Sequence, residues 1–375
     1  MRFRYSAEKD GKPVKRAVVY TRNEHCINQS DVDNDAVYII ERLKANGFDT
    51  YIVGGAVRDL LLGKKPKDFD IVTAANPARI KKIFRNSRII GHRFRLVHVY
   101  FGPRIYEVST FRSIKDGPTG NTFGTIEEDV LRRDFTINAL FYDPVEQIVV
   151  DYVGGIKDIA AGRIRPIIPL SRIFTDDPVR MIRAVKYGAC TGFAMQFSLK
   201  LKIRRNCSLL ESVSHSRLTE ELFKIIHSVH AAAIVDNLDA VGLFQYLQPE
   251  AASLFKIKPG FRECYLKSLD AVNQADFKNL PGEALSALIR DYLEDEADWD
   301  GEDKTEIPKT PSERYREAYI LARKFVLPMN PPRVELDHAV RLLFAKHGIT
   351  IKKSMFNERF RRGVGSKDEA KEGNL

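Results

Sequence analysis

The chain has 375 residues, 44% of them hydrophobic, and a formal net charge of +10 at neutral pH. Its length suits two or three domains, no apolar run reaches bilayer-spanning length, and the opening MRFRYSAEKDGKPVKR lacks the apolar core of a secretory leader, so a cytoplasmic protein with no membrane partner is expected. The scattered Cys26, Cys190, Cys207 and Cys264 predict neither a zinc site nor a disulfide framework, and the positive balance suggests either a polyanionic partner, whose kind it leaves open, or simply good solubility.

Residues 1–33 are polar, basic and weakly periodic, and read as a partly ordered N-terminal extension. Asp35 to Asn46 places apolar residues at helical spacing and stops at Gly47, a helix feeding a strand. From Tyr51 to Asp70 the sequence YIVGGAVRDLLLGKKPKDFD reads as strand, Gly54-Gly55 turn, short helix ending at Gly63, basic loop and second strand. Paired glycines let backbone N–H groups approach phosphate oxygens, and the helix start behind them adds partial positive charge. Asp68 and Asp70 alternate along the second strand, so their side chains point to one side. Two carboxylates that close repel each other unless a cation lies between them, and hard oxygen ligands beside phosphate suit Mg²⁺.

The ordered set GG-x-VRD-x-x-LG followed by D-F-D resembles motif A of the class II nucleotidyltransferases, the family of tRNA CCA-adding enzymes and bacterial poly(A) polymerases. The resemblance implies an α+β chain: a polymerase-beta-like nucleotidyltransferase head, with a mixed, mainly antiparallel sheet and helices, followed by all-α neck and body domains. It also implies ATP as substrate, two Mg²⁺ ions and RNA 3′ ends as partner.

Further on, Asn76-Pro77 starts a helix with Ile80, Ile83 and Phe84 on one face. Ile89 to Phe101 and Ile105 to Phe111 read as two strands joined by a hairpin turn at Phe101 to Arg104. Glu107 lies inside the second strand among apolar residues and needs a partner there. Two readings stand open: a metal shared with Asp68 and Asp70, or a cross-strand ion pair with Arg95 or Arg104. Within the resemblance, Glu107 occupies the place of the third catalytic carboxylate. Ile89 to Val99 resembles the stretch that marks bacterial poly(A) polymerases, G-[RK]-[RK]-F-R-L-x-H-V, with His92 where a basic residue is usual. Its Arg93 and Arg95 alternate out of the strand, either as RNA contacts or as an ordinary exposed face.

Ile114 to Thr125 is expected to be a mobile loop, and Glu127 to Leu140 to be helical. Arg132 to Ala139 reads RRDFTINA and matches the family's motif B throughout. The resemblance gives Arg133 and Asp134 to the ribose and phosphates of the incoming nucleotide, with Gly54, Gly55, Arg58 and Asn138 as further nucleotide-binding residues. Asp151 to Asp158 resembles motif C, D-x-x-G-G-x-x-D, whose glycines suit a hinge.

From Ser171 the pattern stays helical. Phe174 to Gly188 matches motif D, E-D-x-x-R, with Asp176 in place of Glu. Asp177 and Arg180, three apart on a helix, face the same way. An Asp acceptor beside an Arg donor complements the edge of adenine or cytosine, not that of guanine or uracil, and the resemblance makes this pair the base reader. A plain ion pair on a solvated face is the other reading. Arg183, one turn on, suits a phosphate or a structural partner. Arg217 to Leu222 resembles R-L-x-x-E-L, Asp291 to Pro311 reads as an acidic loop or insertion, and Arg314 to Leu327 and Glu335 to Lys346 as helices.

The expected divisions are extension 1–33, head 34–152, base-reading neck 153–228, helical body with RNA-binding region 229–350 and polar tail 351–375. The expected activity is template-independent addition of adenosines from ATP to RNA 3′ ends. The alternatives are a tRNA CCA-adding enzyme and a catalytically inactive RNA-binding protein on the same scaffold; the retained carboxylates Asp68, Asp70 and Glu107 argue against the latter.

Overall fold

The β-branched and aromatic runs of the first half become strands of one sheet. In the computed structural model, which describes residues 2–7, 13–91, 96–113, 122–274, 281–300 and 309–351, these are β1 (Arg2–Ala7), β2 (Pro13–Thr21), β3 (Thr50–Val53), β4 (Asp70–Thr73), β5 (Ser87–Ile90), β6 (Leu96–Phe101), β7 (Arg104–Thr110), β8 (Leu140–Asp143) and β9 (Ile148–Asp151). They lie in the order β1-β2-β9-β8-β3-β4-β7-β6-β5. All neighbours are antiparallel except β4 and β7, which run parallel with Ile71 opposite Val108. The sheet is therefore mixed and mainly antiparallel, as expected.

Helices α1 (Arg22–His25), α2 (Asn34–Ala45), α3 (Gly55–Leu61), α4 (Pro77–Ile83), α5 (Ile126–Leu131), α6 (Gly155–Ala160) and α7 (Ile173–Asp176) accompany the sheet. α2 starts because the Asp33 carboxylate accepts the N–H groups of Asp35 and Ala36, and stops where Gly47 takes φ +81°. α4 starts with Asn76 as cap and Pro77 at the first position. Their inner faces, including Ile39, Ile40, Leu43 and Ile80, pack with Ile52, Ile71, Val97, Val99 and Val108 into one core, each full burial contributing about 1.5–3 kcal/mol. The opposite face of the sheet has its own core, with Tyr51, Val53, Val72, Phe141 and Val150.

The chain forms two compact units, Met1–Arg180 with Thr191–Lys202, and Met181–Cys190 with Ile203–Leu375. Neither 152/153 nor 228/229 is a dividing point. Residues after 152 belong to the head because the Asp158 carboxylate accepts from the Thr136 hydroxyl at 2.7 Å and the Ile167 amide donates to the Asp134 carbonyl at 3.1 Å. Residues 194–195 join the first unit through a short parallel pairing with Arg163 and Ile164. The second unit is helical: part of α8 (Val179–Thr191), the end of α9 (Phe197–Asn206), α10 (His215–Ile226) and further helices between Ala231 and Lys346. Tyr292 stacks on Phe325 at 4.3 Å inside it. Among the described residues no helix is long and apolar enough to cross a membrane.

Several expectations are corrected. Residues 2–7 form an edge strand of the sheet and residues 13–21 the strand beside it, with Val18 to Thr21 paired to β9. Ala17, Val19 and Tyr20 are buried, so two covered faces erase the alternation that would have announced the strand. The stretch read as one strand from Ile89 to Phe101 holds two, the end of β5 and the antiparallel β6, with Gly91 at φ +84° after β5. Glu127 to Leu140 is α5, a turn and a short 3₁₀ stretch before β8, because Asp134 accepts its neighbour's amide and ends the helical path. The acidic stretch from Asp291 opens as the last turns of the helix Pro281–Glu296. Most of the 114–125 loop and the tail beyond Ile351 lie outside the described residues.

Candidate active site

β3 runs into Gly54, whose φ +73° and ψ −134° only glycine adopts without strain. A β-carbon there would lie 3.9 Å from both Asp70 Oδ2 and Arg133 Nη1. The glycine turn, the first residue of β4 and motif B thus meet at one point. Asp68 lies in the loop before β4, and Phe69 between the two carboxylates is buried while both acids are exposed. Exposure alternates over these three residues, but Asp68 precedes the strand on which the sequence reading placed it.

Glu107 reaches the same face by register. Ile71 and Val108 are partners and both enter the helix-side core, so their predecessors Asp70 and Glu107 turn to the opposite face of adjacent parallel strands. Its cross-strand partner is His98, with Nε2 3.6 Å from the carboxylate, rather than Arg104. Arg104 pairs with Asp33 and Asp35. With 53% of its side chain exposed, Glu107 also carries no burial cost, since its apolar neighbours point the other way. Asp68, Asp70 and Glu107 offer only hard oxygen donors, the set that suits Mg²⁺. Among the described residues no three His, Cys, Asp or Glu side chains are gathered closely enough to hold a metal: Asp70 and Glu107 share a face, and no closed cage of acids is formed.

Beside them lies an arginine-rich wall. Arg133 donates to Asp129 Oδ2 through Nε at 3.1 Å and Nη2 at 2.8 Å, and to the Asn138 carbonyl at 3.2 Å, with its guanidinium 5.2 Å from the centre of the Phe141 ring. Arg58, 9% exposed, donates to Asn138 Oδ1 at 2.8 Å and to Asp59. These bonds hold Asn138 and fix motif A to motif B. Burial, with the positive charges of Arg112, Arg133 and Arg180, pushes the Arg132 guanidinium down to about 10, although Asp129 opposes the shift. Arg112, Arg133 and Arg180 acting together on Arg132 make an environment that a polyphosphate would relieve. Asp129 was missed in the sequence, although its spacing of four to Arg133 on a helix start could have found it.

Asp177 and Arg180 lie buried, at 9% and 4% exposure, so a solvated-face ion pair does not describe them. Nor do they share a helix. Asp177 is extended at φ −155° and accepts the Val179 amide at 3.2 Å, while Arg180 sits in the first turn of α8. Arg180 donates to the carbonyls of Arg132 at 3.1 Å and Ile173 at 3.4 Å, which ties motif D to motif B. Arg183 belongs to the second unit and is paired with Glu221 at 2.9 Å. The expected hinge at Gly154-Gly155 is a clamped turn within the first unit. Asp151 accepts the amides of Val153, Gly154, Gly155 and Ile156, and a β-carbon on Gly155 would lie 2.3 Å from the Thr136 carbonyl oxygen. Arg93 and Arg95 lie outside the described residues.

A family model described as the poly A polymerase head domain matches residues 50–165, and one described as the probable RNA and SrmB-binding site of polymerase A matches residues 192–255. The protein named Poly(A) polymerase I in Escherichia coli O6:H1 is 41% identical over 256 residues, which is 64% of this chain and 55% of that protein. Residues 50–165 and 192–255 thus carry domains of the class II nucleotidyltransferase family. A CCA-adding enzyme of Geobacillus stearothermophilus, within this family, is 38% identical over 219 residues, covering 57% of this chain and 54% of its own. A solved structure of the Bacillus stearothermophilus CCA-adding enzyme in complex with CTP superposes with a TM-score of 0.56 at 28% identity, covering 83% of this chain and 82% of that one. The chain spans little more than half the length of the curated relatives it matches.

Proposed function

We propose that the protein is a template-independent polynucleotide adenylyltransferase that transfers AMP from ATP to RNA 3′ ends. The observation that carries the reading is the convergence of Gly54, Asp70 and Arg133, which brings a phosphate-tolerant turn, a carboxylate and a guanidinium to one place. The 41% identity to a Poly(A) polymerase I supports adenosine as the unit added. The RNA 3′-oxygen would form a bond to the α-phosphorus of ATP as the α–β bridging bond breaks and pyrophosphate leaves. Arg133 and its neighbours offset the triphosphate charge, Asn138 held by Arg58 and Asp134 position the ribose, and Asp177 with Arg180 accepts and donates at the adenine edge.

Asp68, Asp70 and Glu107 would hold Mg²⁺, two ions by the family resemblance, and the metal supplies positive charge that acidifies the 3′-hydroxyl and steadies the phosphates. The double variant Asp68→Ala, Asp70→Ala tests the assignment: AMP transfer should disappear while RNA binding, measured by fluorescence anisotropy, stays intact. Transfer at the wild-type rate would refute it. CCA addition to tRNA is the second reading, favoured by the CTP-bound relative at 28% identity.

A further inference from the structure

Two adjoining hollows of about 760 and 820 Å³ run between α2 and α4 on the first unit. They share Arg42 and Lys82, and so form one groove. Arg79 and Arg85 extend its basic wall. All four side chains are exposed, and among the described residues none is in an ion pair; Arg42 donates to the Tyr38 hydroxyl at 3.1 Å. Asp35 is the one lining carboxylate, and Arg104 neutralises it. Aromatic rings stand in both hollows: Tyr38, 44% exposed and set edge-on against Phe101, and Phe123, 58% exposed. A cluster of uncompensated cations with exposed rings fits single-stranded nucleic acid, whose phosphates follow the charge and whose bases stack on any ring.

The groove does not belong to the site above. α2 and α4 cover the face of Ile71 and Val108, whereas Asp70 and Glu107 turn to the opposite face. It opens at Asn86 and Phe101, beside the edge strand β5, so a strand lying in it has to pass the sheet edge to reach the carboxylates. We propose that this groove is a second RNA track, which holds single-stranded RNA upstream of the 3′ end under extension. The inference rests on RNA being the substrate.

The test compares the full-length protein with the variant Arg79→Gln, Lys82→Gln, Arg85→Gln, whose exposed positions leave the fold undisturbed. Binding of a short oligoadenylate and of one several times longer is followed by anisotropy across a salt series. The variant should bind the short RNA as the wild type does, bind the long RNA more weakly, and lose about 2 from the slope of log affinity against log salt, since each phosphate contact to a single strand contributes about 0.7. Tyr38→Ala should weaken the long RNA alone without changing the slope. Unchanged affinity and slope for the long RNA would overturn the proposal and leave the groove to an acidic protein partner. Failure of the wild type to bind either RNA would overturn the adenylyltransferase reading itself.

Discussion

Replacing Glu221 by Gln should destabilise the second unit by an amount the structure allows to be worked out. Glu221 on α10 is 2% exposed and accepts from Arg183 Nε at 2.9 Å and Lys186 Nζ at 2.8 Å. Burial raises its carboxyl, but Lys186, Arg183 and Lys224 outweigh burial and hold it at about 2, against an ordinary 4.5. At about 1.4 kcal/mol per unit, that depression stabilises the folded state by about 3 kcal/mol. Removing one side of a buried pair costs about 3–5 kcal/mol, because the other charges are left uncompensated. The two figures agree.

A carboxyl depressed by folding contributes fully above its unfolded value, and the contribution fades as the pH falls toward the folded one. The gap between wild type and E221Q in urea unfolding, followed by circular dichroism, should therefore be about 3 kcal/mol at neutral pH and narrow steadily below pH 4.5. A gap under about 1 kcal/mol at neutral pH would be that of an exposed pair. That result, or a gap that does not narrow in acid, would refute the reasoning.

Gly155→Ala places a β-carbon 2.3 Å from the Thr136 carbonyl oxygen, so thermal unfolding of the first unit should reveal a loss of about 1–3 kcal/mol; an unshifted melting temperature would contradict the clamped turn. Asp151→Ala strips the acceptor from four amides and should cost about 2 kcal/mol or more, read by the same melt. Arg180→Gln should relax the choice of nucleotide, seen as a smaller preference for ATP in kcat/KM, and an unchanged preference would remove Arg180 from base reading. Removal of divalent cations by EDTA should stop AMP transfer and added Mg²⁺ restore it, with persistent activity in EDTA the contrary result.

Motif A was readable because its strand, turn and helix are each signalled locally: Ile52 and Val53 favour a strand, Gly54 adopts a backbone no other residue tolerates, and Gly63 ends the run that follows. The position of Glu107 was readable, but its partner was not, since the choice of His98 over Arg104 depends on the register between β6 and β7. Motif B misled by its spacing. Its apolar residues recur as in a helix, while Asp134 and Asn138 use their side chains on backbone and on Arg58. Arg183 could not be placed from sequence, because Glu221, which holds it, is 38 residues away. Strand β2 escaped notice because it is covered on both sides and shows no alternation.

The central claim is that adenosine is added to RNA without a template. Purified protein with Mg²⁺ should be given each labelled nucleoside triphosphate in turn, with an unstructured RNA and, in parallel, a tRNA lacking its terminal CCA. The account predicts long tails on the unstructured RNA from ATP alone. Addition confined to the tRNA, dependent on CTP and ending at the completed CCA, would contradict it.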